Sequence, residues 1–163
     1  MPISEIRELT LSSLETTLSL NNAHAQETSL LDESSLGALL NTAFYARGLD
    51  RGATALLIAL DEGAPYDNPN FNWFKQRFDR FVYIDRIVVS DGARGRGIAR
   101  MLYQDLFAAA AEAGHSRIVC EVNLAPPNPA SDAFHMTMGF VEIGQAIIHD
   151  GCKTVRYFEK ALR

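Results

Sequence analysis

Two cysteines, one tryptophan and six prolines among 163 residues leave little material for a disulfide scaffold or a proline-rich linker. Cys120 and Cys152 stand far apart in apolar, strand-like surroundings and form no C-x-x-C pair. They read as buried thiols of a reducing compartment. His24, His115, His135 and His149 show no H-x-x-x-H spacing, so no metal site is expected. Long apolar runs are also missing. The longest, ATALLIAL at 53–60, is far too short to cross a bilayer. The opening MPISEIRELT is polar and carries acidic residues, unlike a signal peptide. Positive charge is the minority sign: the net charge of −5 opposes binding to nucleic acid and to anionic membranes. The expectation is a cytoplasmic protein with neither partner, in which any positive ligand site is local.

What the chain has in plenty is core. Hydrophobic residues make up 47% and charged residues 21%, ordinary values for one globular domain spanning 1–163. ISEIRELT alternates as a first strand. SLETTLSLNNAHA and LDESSLGALLNTAFYA carry apolar residues at helical spacing. ATALLIALD is a buried strand. EGAPYDNPNFNWFKQRFD reads as a long loop with one helical turn near NWFKQRF, and loops of this length are often functional. RFVYIDRIVV is a strand, ARGRGIARMLYQDLFAAAAEAG a helix stopped by Gly114, and SRIVCEVN a strand. SDAFHMTMG is a short helix that Ser131 or Asp132 can cap. FVEIGQAIIHDGCKTVRYFEKAL closes as a hairpin with Asp150-Gly151 at its turn. With a further strand near FYARG, the order predicts a mixed α/β domain.

The stretch SDGARGRGIARML, residues 90–102, packs three glycines and three arginines between a strand and a helix. A helix N-terminus offers unpaired backbone N–H groups and partial positive charge, and glycine lets a phosphate approach them. Arg94, Arg96 and Arg100 can add charge-assisted bonds. A Walker A loop is excluded, because Ile98-Ala99 stands where Lys-Ser/Thr is needed. A dinucleotide fingerprint finds Gly95 and Gly97 but puts Arg100 at its third glycine. A nucleotide-dependent oxidoreductase also needs more chain than the roughly forty residues after Glu121.

Read as Arg94-x-x-Gly97-x-Ala99, the loop resembles the acetyl-CoA motif of the GNAT (Gcn5-related) N-acetyltransferase superfamily. A second stretch, NPASDAFHMTMGF, is similar to that family's Asn-x-x-Ala-x-x-Leu/Phe-Tyr-x-x-x-Gly-Phe, with Asn128, Ser131, Phe134, His135, Gly139 and Phe140 in register. The resemblance covers roughly Phe81 to Leu162. It implies a mixed, mostly antiparallel sheet flanked by helices, with acetyl-CoA as cosubstrate in a cleft where two strands splay apart. It implies transfer of the acetyl group to a primary amine, of a small molecule, an amino acid or a peptide N-terminus, by direct attack. The cofactor residues it implies are Ile87, Val88 and Val89 on the strand. Arg94, Gly95, Arg96, Gly97, Ile98, Ala99 and Arg100 follow in the loop, with Asn128 and Phe134 beyond. Backbone N–H groups at the Val89 end would stabilise the oxyanion. A homodimer through the C-terminal hairpin or a sheet edge is a family expectation as well.

The departures touch the chemistry. His135 stands where the family's tyrosine protonates the leaving thiolate. An imidazolium of pKa about 6.5 can protonate a thiolate whose thiol has a pKa of about 8.5. Glu121 in CEVN resembles the general base of the ribosomal-protein alanine acetyltransferase branch, and a carboxylate within an apolar strand is costly without a use. Asp85 is a second candidate base, and Asn123 can orient substrate or water. For the acceptor, the long loop offers Tyr66, Asn70, Phe71 and Trp73, and the region after the first helix Asn22, His24 and Glu27. An acidic acceptor site would favour a cationic amine. The alternative reading is a catalytically inactive acyl-CoA-binding sensor, supported by the missing tyrosine and opposed by Glu121.

Overall fold

The apolar run ahead of Asp61 is buried on both faces, which makes it an inner strand. The computed structural model describes residues 5–24, 28–125, 127–148, 151 and 153–162. Among them, seven strands form one sheet: β1 (Arg7–Glu8), β2 (Tyr45–Leu49), β3 (Ala55–Asp61), β4 (Val82–Val89), β5 (Arg117–Ala125), β6 (Val141–Ile148) and β7 (Lys153–Ala161). Their order across the sheet is β1-β2-β3-β4-β5-β7-β6. Every neighbouring pair is antiparallel except β4 and β5.

Alternation along each strand decides which helices it meets. Leu56, Ile58 and Val88 face the helices α1 (Leu14–Ala23) and α2 (Glu33–Thr42), against Leu20 and Leu36. Leu60, Tyr83, Val119 and Tyr157 meet Phe71 and Phe74 of α3 (Pro69–Lys75). The opposite face, with Leu57, Ile84, Cys120 and Phe158, packs on Ile98, Leu102, Tyr103 and Leu106 of α4 (Ile98–Glu112). Beside it lies α5 (Pro129–Thr137), whose Phe134 joins the same core.

Several expectations are refined. Only Arg7–Glu8 of the expected first strand is in the sheet, and Ile3 and Ser4 lie outside the described residues. The second helix stops at Thr42, and FYARG supplies β2. The long loop contains more than one helical turn. Asn68 caps α3 by accepting from the N–H groups of Asn70 and Phe71, with Pro69 at its first position. The cap of α5 is Asn128, not Ser131 or Asp132; its Oδ1 accepts from the Ser131 N–H at 3.3 Å. Gly151 is a turn residue with φ +89°, while His149, Asp150 and Cys152 lie outside the described residues.

Candidate active site

Parallel strands β4 and β5 pair only at Val82–Ile118 and Tyr83–Val119. Beyond Tyr83 they part, and the β5-facing backbone of β4 has no strand partner. At this point β4 also carries a bulge: Ile58 pairs with Arg86 and Ala59 with Ile84, leaving Asp85 as the extra residue. The opening therefore lies where the parallel ladder ends. Two cavities meet it, of about 150 and 170 Å³, and Asp85, Arg86, Glu121 and Asn123 line both.

Glu121 is the central group. It is partly buried on β5, two residues past the last β4 pairing, and accepts a hydrogen bond from the hydroxyl of the buried Tyr83. Burial pushes its carboxyl up to about 7; the Tyr83 bond opposes this and the nearby Asp85 charge adds to it. It is a carboxyl poised to exchange a proton near neutrality. Asp85 is differently placed. Its side chain is 3% exposed and takes Arg86 Nε at 2.7 Å and the Tyr66 hydroxyl at 2.6 Å. Both oxygens are thus engaged in a buried ion pair, which leaves Glu121 as the better proton acceptor.

His135 is 5% exposed and reaches the first cavity from α5. Its Nδ1 donates to the Ser131 carbonyl at 2.7 Å, which fixes the tautomer. Its Nε2 then accepts from the hydroxyl of Tyr103, also at 2.7 Å. Burial lowers the imidazole pKa, opposed by the Ser131 carbonyl and the Asp132 charge, so the neutral ring is favoured. Tyr103 is fully buried on α4, burial raises its phenol, and it lines the same cavity. The sequence reading missed Tyr103. Its only signal there is a polar hydroxyl on the buried face of an amphipathic helix. Cys120 lines this cavity too, and burial raises its thiol well above the ordinary range.

A third hollow, of about 350 Å³, lies at the glycine loop and is lined by Val89, Arg94, Gly95, Gly97, Ala99 and Arg100, with Phe134 across from them. Gly95 and Gly97 have φ of +78° and +76°, the left-handed region. Nothing lies within 4 Å of where a Cβ would stand at either glycine, so the backbone is bare as well as twisted. No side chain caps the N-terminus of α4 at Gly97, so its first N–H groups stay available to an anion. These features fit a pyrophosphate. Ile98 borders the hollow while its side chain also packs in the core, whereas Val88 faces the α1–α2 side and does not line it. Ile87 lines the first cavity instead, with Asn128. Arg96 does not line the hollow, and Arg94 pairs with Asp91 at 3.5 Å.

The expected acceptor residues divide. Asn70 and Tyr66 line the second cavity, where Asn70 Oδ1 accepts from the Tyr157 hydroxyl at 2.8 Å. Trp73 lies instead under the last hairpin, stacked on Tyr157 at 4.1 Å with Arg77 over its ring. Asn22 ties the chain after α1 by bonding both backbone groups of Leu31. Glu27 lies outside the described residues. Nor is the second cavity simply acidic: Arg86 and Lys153 face it along with Asp85 and Glu121.

A mostly antiparallel seven-stranded sheet, opened between two parallel strands above a glycine-bearing helix start, defines an acyltransferase architecture. The sequence profile of the Acetyltransferase (GNAT) family matches residues 38–140, and the chain belongs to that family. No curated protein matches it by sequence. Solved structures share the fold at low identity. The ribosomal-protein-alanine N-acetyltransferase from Brucella melitensis is 22% identical, with a TM-score of 0.73, covering 97% of this chain and 99% of that one. Ard1 from Thermoplasma volcanium is 13% identical, with a TM-score of 0.73 and coverage of 98% and 97%. The NatB acetyltransferase complex, solved bound to CoA and MES, is 15% identical, with a TM-score of 0.75 and coverage of 98% and 100%. No helix of the described residues is long and apolar enough to cross a membrane.

Proposed function

We propose that this protein transfers the acetyl group of acetyl-CoA to a primary amine by direct attack. The observation that carries the reading is Glu121, a carboxyl with a pKa near 7 at the mouth of the opened strands, bordering both cavities. The glycine-loop hollow takes the pyrophosphate through backbone N–H groups, with Arg94 and Arg100 adding charge. The first cavity takes the thioester, and unpaired N–H groups of β4 face its carbonyl oxygen. The second cavity holds the amine. Fold neighbours bound to CoA, and the NatC complex bound to a Gag peptide and CoA, are consistent with this division.

The amine nitrogen attacks the thioester carbon; a C–N bond forms and the C–S bond breaks. Glu121 takes the proton that the nitrogen must lose. The Tyr103–His135 pair returns one to the sulfur, giving a free thiol, and exchange with water resets both groups. Cys120 takes no part, since its buried thiol is held protonated. Calorimetric titration with acetyl-CoA, CoA and NAD tests the reading. Micromolar binding of acetyl-CoA and none of NAD is expected, followed by thiol release with amines. Binding without release from any amine would instead favour the sensor alternative.

A further inference from the structure

The acceptor cavity shares one face of the sheet. Glu121 on β5 stands directly opposite Tyr157 on β7, and Asn123 opposite Val155. Side chains alternate along a strand, so Lys153, two positions before Val155, projects to that same face. It lines the cavity with Glu121, Asn123 and Asn70. Its backbone is about 13 Å along β7 from the Glu121 register, at about 3.3 Å per residue.

The charges facing this cavity are Asp85, Arg86, Glu121 and Lys153. Asp85 and Arg86 neutralise one another at 2.7 Å. Arg86 is committed further, because Nη1 donates to Asn21 at 2.9 Å and Nη2 to Ser29 Oγ at 3.3 Å. Glu121 becomes neutral as it takes the proton of the attacking amine. Lys153 remains: its ammonium makes no ion pair or hydrogen bond among the described residues. A half-buried ammonium on the wall of an amine site repels a purely cationic substrate and lacks an anion of its own.

We infer that the acceptor is a small primary amine that carries a carboxylate on its own skeleton, with Lys153 on the same face as Glu121 as the residue that binds it. This rests on the acetyltransferase reading and narrows its substrate class. A cavity of about 170 Å³ suits a compact solute or the first residues of a peptide.

The test measures kcat/KM for thiol release from acetyl-CoA with two matched pairs of amines. One pair is β-alanine and its amide; the other is glycyl-aspartate and glycyl-asparagine, both with the C-terminus amidated so that only the first carries a carboxylate. Within at least one pair the anionic member should be better by about tenfold or more, the usual scale of one charge-assisted bond. The pair that discriminates tells a free amino acid from an acidic peptide. Lys153→Met should bring the two members level by slowing only the anionic one, and Lys153→Arg should keep the preference. Equal rates within both pairs in the native protein, or a ratio that survives Lys153→Met, overturns the inference alone. Thiol release with none of the four amines while acetyl-CoA still binds overturns the inference as well; absence of acetyl-CoA binding by calorimetry overturns the acetyltransferase reading beneath it.

Discussion

Glu121 shows how a carboxyl proposed as the general base is made costly by the place that would make it useful. Its pKa is about 7 in the folded protein against an ordinary 4.5. Between these values the unfolded chain has lost the proton that the native state keeps, so stability falls as pH rises through this window. Above pH 7 the cost is complete, on the order of 3 kcal/mol at about 1.4 kcal/mol per pKa unit. Glu121→Gln is therefore predicted to be more stable than the native protein at pH 8, with the gain vanishing near pH 4; denaturation at both pH values checks this, and an equal gain at both would refute it. For the Tyr103–His135 pair the prediction is kinetic. His135→Phe and Tyr103→Phe should each cut kcat by roughly a hundredfold, within the usual range for acid–base groups, and leave the acetyl-CoA Kd in place. Unchanged turnover in both variants would remove the pair from the mechanism.

The loop between β4 and α4 works through conformation rather than through side-chain contacts. Gly97 has φ +76° with open space beside it, so Gly97→Ala meets no clash and strains only the backbone. Left-handed backbone costs an L-residue about 1–2 kcal/mol, which predicts a drop in acetyl-CoA affinity of about tenfold. Gly92 also has open space, but no left-handed φ. Gly92→Ala should therefore bind as the native protein does, and calorimetry on the two variants separates shape from crowding. This element was legible in sequence because its signal is local: glycine spacing, a preceding strand, a following amphipathic helix. The caps were partly legible. Asn68-Pro69 is a helix start written within a loop-like composition, and Asn128-Pro129 repeats it. The β2 strand was half legible: FYARG read as a further strand and, in the same residues, as the end of the second helix, and pairing with β3 decides between the two.

At the scale of the whole molecule, the site is a product of strand order. The parallel β4–β5 contact ends after two residue pairs, and everything chemical gathers where it stops. Tyr83, Tyr103, Glu121, His135 and Lys153 come from β4, α4, β5, α5 and β7. No spacing in the chain relates them, which is why Glu121 and His135 were readable by resemblance while Tyr83, Tyr103 and Lys153 were not. Trp73 and Asn22 show the converse error: both look like ligand groups in sequence, and the fold spends one under a hairpin and the other on Leu31. Net charge, too, is a property of the whole surface and did not foretell two cations facing the second cavity. The most direct test of the account is the pH dependence of kcat for thiol release from acetyl-CoA at saturating amine. The account predicts a rise to a plateau through about pH 7, lost together with most of the rate in Glu121→Gln. A profile flat from about pH 5.5 to about 8.5, or a Glu121→Gln protein as fast as the native one, would contradict it.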